Sequence, residues 1–327
     1  MVVRSLVSRA AGASEGSDPP RIAVFAPHPL LTVSLEREGT QRERVHFHAG
    51  GQGVWVARMA ARMGAEPVLC SLVGGESGEL LQPLLSALNA ELRLVPASSP
   101  SGCYVTDRRS GDRKLLTFAA SDPPSRHELD ELFSITCAEA LAAGWLVVCN
   151  PMPADALPLE LYGDLVADAR AGGCRTLVDL SSPRLDSALR GEPDLVKIND
   201  WELAQFVCGP VSERDQLEDA MRQVCDTGAR TVVVTRGEKP AFVLDEGEFF
   251  HLTPPRLDRG FREGCGDAMM GALAAAWANY ETLPYALRVG AAAGAANFLR
   301  HGLGSATRDV IERLLDRVAL ESVTAAR

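Results

Sequence analysis

Apolar positions change period along the chain, and the changes outline its elements. A short apolar run at 22–25 ends at Pro27 and Pro29. Val33-Ser34-Leu35 and Val45-His46-Phe47-His48 alternate apolar with polar residues, as half-exposed strands do. Gly50-Gly51-Gln52-Gly53 then opens a helix that closes at Gly64, a residue suited to the left-handed position past a helix end. Residues 67–73 predict a strand, Gly74-Gly75 a turn and 79–88 a helix. A polar turn at Ser110-Gly111-Asp112 joins strand-like runs 103–107 and 114–118 into a hairpin. Beyond residue 129, strand-like runs at 146–149, 176–180, 195–198 and 231–235 alternate with helical stretches at 130–142, 159–171, 214–226, 284–300 and 307–320.

Repeated β-α alternation predicts one doubly wound, mostly parallel sheet flanked by helices. The segments at 31–48 and 103–118 do not fit that scheme and predict a small β-sheet lid. The first twenty residues carry Gly, Ser and Pro at 11–20 and predict a disordered tail, leaving 21–327 as the folded domain.

Composition narrows the function classes. A content of 46% hydrophobic and 23% charged residues is that of an ordinary globular protein. A net charge of −10 argues against nucleic acid or an acidic membrane surface as partner. The eight cysteines are scattered without a C-x-x-C pair, which suits reduced thiols and a cytoplasmic location rather than a zinc or disulfide framework. Apolar runs near 138–149 and 268–278 are too short or interrupted to span a bilayer.

Gly264-Cys265-Gly266-Asp267 sits between a turn-rich stretch and an Ala-rich apolar helix. Glycines opening a helix leave unpaired N–H groups at its positive end, a ready site for an anion such as phosphate. Asp267 places a carboxylate beside that anion, where it could take a proton from an attacking hydroxyl. Capping alone also explains Gly followed by Asp at a helix start. A second glycine-rich helix start at 50–53 suggests that both act together at the C-terminal ends of the sheet strands. Neither stretch matches a P-loop or a dinucleotide fingerprint.

The order of these motifs resembles the ribokinase-like carbohydrate kinases, specifically the phosphofructokinase-B branch that holds 1-phosphofructokinase and tagatose-6-phosphate kinase. The resemblance covers about 21–320. Residues 50–85 are similar throughout to the branch's first helical unit, the run 196–203 (VKINDWEL) resembles its K-x-N-x-x-E-L signature, and 264–267 resembles G-A-G-D with Cys265 in the Ala position.

That likeness implies ATP-dependent phosphoryl transfer to the alcohol of a sugar or sugar-like small molecule. Asp267 would be the base, with the N–H groups of Gly264, Cys265 and Gly266 as the anion hole. Asn199 and Glu202 would organise Mg²⁺ and its waters, although alone they also read as a helix cap with an acid in its first turn. Lys197, Thr235 and Gly237, with Gly302 and Gly304 near the adenine, would serve ATP. Cys265 would make the site sensitive to thiol reagents. Lids of this kind pair in relatives, which implies a homodimer.

The substrate side departs from the branch. Thr32 stands where a sugar-binding Asp belongs, within His28-Pro29-Leu30-Leu31-Thr32. In Gly50-Gly51-Gln52-Gly53-Val54-Trp55, Gln52 replaces a Lys and Trp55 an Asn, and Asn150-Pro151-Met152-Pro153 replaces G-S-x-P. A T-R pair before the lid strand is missing at 99–101. These changes remove a carboxylate for sugar hydroxyls and two cations for a sugar phosphate. Three readings follow: a kinase for a non-standard alcohol; a hexose-phosphate kinase with anions held by Arg42, Arg44, Arg108 or Arg109; or a kinase-like binding or regulatory protein without turnover. His46 and His48 read as exposed face residues.

Overall fold

A computed structural model describes residues 18–38, 42–110, 113–279, 281–300 and 302–323. Residues 1–17 of the expected tail, and Gly111 and Asp112 of the expected hairpin turn, lie outside the described residues.

Ten strands form the main sheet, in the order β14-β13-β12-β11-β10-β9-β8-β1-β4-β5. The parallel part contains β1 (Arg21–Phe25), β4 (Glu66–Val73), β5 (Glu91–Pro96), β8 (Trp145–Cys149), β9 (Arg175–Asp179), β10 (Leu195–Asn199) and β11 (Thr231–Arg236). These strands are apolar on both faces because helices cover both. Ile22 and Val24 of β1 join one core, while Ala23 and Phe25 join the other.

Sequence period alone missed one edge of this sheet. β12 (Lys239–Asp245), β13 (Glu248–Thr253) and β14 (Ala319–Ser322) extend it antiparallel. β14 takes the end of a stretch expected to be helical to residue 320, and the helix α10 stops at Leu315. Similarly, α2 (Gly75–Ser86) starts at the expected Gly-Gly turn, with Gly74 as its cap. Other helices lie close to their expected bounds, including α1 (Gln52–Arg62), α3 (Arg126–Ala143), α8 (Cys265–Ala278) and α9 (Leu283–Phe298).

The lid is a separate four-stranded sheet of β3 (Arg42–Gly50), β2 (Leu30–Glu38), β6 (Cys103–Asp107) and β7 (Lys114–Ala119), in that order. Its alternation divides two faces: Thr32 and Ser34 are buried, while Val45 and Phe47 are 54% and 52% exposed.

Strand order reverses at β1, which lies between β4 and β8. Ligands of open α/β sheets bind outside the strand C-termini at such a switch point. Two helices reach it because their glycines permit close approach. A Cβ on Gly53 would stand 2.3 Å from the Ala26 Cβ just after β1, and one on Gly271 would stand 2.3 Å from the Val56 carbonyl of α1. α1 and α8 therefore pack backbone against backbone and bring their N-termini to the same place.

Candidate active site

Gly264 caps α8 in the left-handed region, at φ 69°. The Cys265 N–H makes only a long 3.4 Å contact with the Arg262 carbonyl, and Asp267 follows in the first turn. Asp267 retains some exposed surface, yet its carboxyl is well enclosed. Burial chiefly raises its pKa to about 7, helped by the nearby Asp179 carboxylate and opposed by Lys197 and a hydrogen bond from Gln52.

Lys197 and Asp179 form the buried centre of the site. They project from β10 and β9, pair at 2.8 Å, and have side chains only 6% and 5% exposed. Burial alone would depress the Lys197 pKa, but the attraction of Asp179, with Asp267 and Glu202 farther off, more than reverses this and raises it. The ammonium also lies 3.0 Å from where a Cβ on Gly266 would stand, so it faces the start of α8. Asp179 was missed in the sequence, although an acid inside the otherwise apolar end of the run at 176–180 is a readable sign of a functional strand end.

Asn199 and Glu202 do form the capping box that their spacing allows. Asn199 Oδ1 accepts the Glu202 N–H at 2.9 Å, and Glu202 Oε2 accepts the Asn199 N–H at 3.1 Å. Burial raises the Glu202 pKa despite that bond. Thr235 of β11 lies in register beside Asn199, and Gly237 follows in the turn at φ 64°.

Gly302 and Gly304 flank Leu303 in a turn that touches both α1 and the start of α8. Gly302 lines the cleft under the lid with Thr32 and Trp55, and a Cβ on Gly304 would stand 2.9 Å from the Trp55 carbonyl. They pack against α1 because Leu303 between them is bonded through its carbonyl to Arg58 Nη1 at 2.8 Å. The structure groups Lys197, Asn199 and Thr235 along adjacent strands, and Leu303 between the two glycines stands 3.1 Å from where a Cβ on Gly264 would be, at the start of α8.

Gln52 makes protein contacts that its sequence position did not reveal. Its Oε1 accepts the Asn150 N–H at 2.6 Å, which turns its amide nitrogen away toward Asp267. Asn150 is held in turn, with Oδ1 accepting from Arg184 Nε at 3.0 Å and Nδ2 donating to the Asp179 carbonyl at 3.3 Å. Gln52 thus belongs to a protein network that positions the acid. Gln52→Leu removes a donor that lowers the Asp267 pKa, so the acidic limb of the kcat–pH profile should move to higher pH and kcat should fall about tenfold. An unchanged limb in a pH series of initial rates would show that Gln52 acts elsewhere.

Thr32, Gly50 and Trp55 line the cleft as expected of an acceptor pocket, and Gly51 caps α1 at φ 103°. Trp55 packs partly against the core as well as lining the cleft. Of the four expected arginines only Arg108 lines it; Arg109 binds Asp107 and Glu43, and Arg42 and Arg44 are exposed on β3, on the face of His46 and His48 but beyond the cleft lining. Arg113, not anticipated, lines the cleft instead. His46 and His48 are ring-stacked at 6.0 Å on the lid, and His48 reaches the cleft. Cys265 is partly buried: burial pushes its thiol up to about 11, which opposes thiolate formation, and Sγ donates to the Phe261 carbonyl at 3.3 Å.

The model of the pfkB family of carbohydrate kinases matches residues 28–309. The protein belongs to that family. It is an ATP-dependent carbohydrate kinase. It is 29% identical over 274 residues to the ATP-dependent 6-phosphofructokinase isozyme 2 of Escherichia coli strain K12, covering 82% of this chain and 87% of that protein. It is 30% identical over 231 residues to the 1-phosphofructokinase of Rhodobacter capsulatus, covering 69% and 72%. The crystal structure of Escherichia coli phosphofructokinase-2 in complex with potassium superposes with a TM-score of 0.81 at 26% identity, covering 91% of this kinase and 99% of that chain. The ribokinase of Arabidopsis thaliana shares the fold, with a TM-score of 0.71 at 18% identity and coverage of 91% and 99%.

Proposed function

We propose that this kinase transfers the γ-phosphoryl group of ATP to a hydroxyl of a sugar or sugar-like acceptor held between the lid and α1, with Asp267 as the base. The observation that carries this is the enclosed Asp267 carboxyl at the first turn of α8, beside the Lys197–Asp179 pair. As the acceptor oxygen attacks phosphorus, its proton passes to an Asp267 oxygen. Negative charge on the phosphoryl oxygens meets the N–H groups of Gly264, Cys265 and Gly266, and a preorganised donor of this kind is worth roughly 3 kcal/mol. The Lys197 ammonium adds positive charge at the same end of the helix.

The donor set fits a hard divalent cation. Asp179 Oδ2 is buried and, outside its ion pair, makes no hydrogen bond, while Glu202 uses only one oxygen in its cap. Mg²⁺ is commonly held by one or two carboxylates, with phosphates and water completing its shell. Glu202, Asp179 and the Asn199 carbonyl would hold it, and it would screen phosphate charge. Thr235 and Gly237 complete the nucleotide side.

Coupled detection of ADP release across sugars, sugar phosphates and nucleosides tests the function. Turnover of one class with Mg-ATP is expected, whereas absence of Mg-ATP binding by calorimetry would leave only the non-catalytic reading. Strong activity on fructose 1-phosphate would refute Thr32 and Gln52 as marks of a changed specificity. The domain runs from about residue 21, and a cytoplasmic location suits the free thiols. Among the described residues no helix is long and apolar enough to cross a membrane. The exposed outer lid face at Val45 and Phe47 supports a homodimer; analytical ultracentrifugation should show a dimer that Phe47→Glu dissociates.

A further inference from the structure

The cleft between lid and α1 carries a strong local charge. Among its described lining residues are Arg58, Arg108, Arg113 and His48, with no Asp or Glu, in a chain whose net charge is −10. Arg58 is committed to the fold, since its guanidinium donates to the carbonyls of Leu303 at 2.8 Å and Ala49 at 3.2 Å. Arg108 and Arg113 come from the two sides of the β6–β7 hairpin, and each side chain is only 14% exposed. Arg113 also stacks 5.1 Å from the Tyr104 ring, which fixes its guanidinium toward the cleft.

What meets these cations is the segment leading into the anion hole. Arg113 pairs with the Glu263 carboxylate, and Arg108 lies 6.0 Å from the Phe261 ring. Asn297 Nδ2 donates to the Glu263 carbonyl at 3.2 Å, so the Glu263 backbone is tied to α9 while its side chain reaches the lid. A carboxylate one residue before Gly264 therefore connects the lid to the catalytic helix.

We propose that Glu263 is a built-in competitor for the acceptor's anionic group: it occupies Arg113 in the free enzyme, and a phosphate or carboxylate on the acceptor displaces it. This rests on reading the cleft as the acceptor pocket. A phosphate dianion offers Arg113 more charge and a bidentate partner, so it wins the exchange. A neutral sugar offers the guanidinium nothing and leaves the pair in place. Glu263 thus lowers affinity for anionic acceptors and leaves neutral ones unaffected. It is half exposed, at 49%, so the competition is modest, at about fivefold in affinity.

Calorimetric titration of the full-length protein tests this, with inorganic phosphate and fructose 6-phosphate as anionic probes and ribose as the neutral one. Glu263→Gln should tighten both anions about fivefold and leave ribose unchanged. Arg113→Gln should weaken the anions about tenfold and abolish the gain from Glu263→Gln in the double variant. Thermal melts confirm that each variant is folded. If Arg113→Gln weakens anions while Glu263→Gln does nothing, the competitor role is overturned and the pocket stands. If neither substitution alters anion binding, or no variant binds either anion, the proposal fails together with that reading of the cleft.

Discussion

Asp267→Asn is expected to lower kcat by about 10²-fold or more while the protein stays folded. The amide keeps the shape and can still accept a hydrogen bond, but it cannot take the acceptor's proton. Folding should tolerate the change because the wild-type carboxyl is already costly to ionise: burial and Asp179 hold its pKa at about 7. The same shift sets the pH dependence. The base form is populated only as pH rises through about 7, so wild-type kcat should climb across that range. Linkage runs the other way. A carboxyl whose pKa is raised by folding contributes most to stability below its unfolded value of 3.8, and loses that contribution as pH rises through about 7. Initial rates of ADP release from pH 5 to 9, with the best acceptor from the screen, check both statements. Equal rates for Asp267→Asn and wild type would remove Asp267 from the mechanism.

Lys197→Met should be the most damaging substitution to the fold as well as to turnover. The methionine fills similar space but leaves Asp179 buried without its 2.8 Å partner, with Asp267 and Glu202 close by. Breaking one side of a buried pair costs about 3–5 kcal/mol. A melting temperature lower by about 10 °C is the expected result. The loss should be larger at pH 8 than at pH 5, because the carboxylate cluster left without its cation can relieve itself by binding protons at low pH. Adding Asp179→Asn should recover much of the stability but none of the activity. Denaturant melts of the single and double variants decide this. A double variant no more stable than Lys197→Met would show that the pair does not carry the cost.

Much of this was legible in the sequence for identifiable reasons. Parallel strands buried on both faces leave continuous apolar runs, and helices between them leave glycines at their ends, so the β-α series and its two glycine-rich helix starts stand out. The strands β12 to β14 did not, because an antiparallel edge follows turn geometry and pairing rather than a long apolar run. The lid was recognised through its alternation, but not the faces that its strands turn toward the cleft.

The site divides along the same line. The sequence by itself determined the fold class, the motif order and Asp267 at the head of α8, since each is local: a residue type at a fixed spacing from a helix or strand end. Tertiary structure alone decided that Asp179 pairs with Lys197, that Gln52 links Asn150 to Asp267, and that Gly302 and Gly304 flank a Leu303 bonded to Arg58 of α1. It also placed Arg113 on Glu263, 150 positions away. Those contacts join loops at the ends of different strands, and strand order sets them. Strand order depends on how helices cover both faces of the sheet, which no single segment encodes.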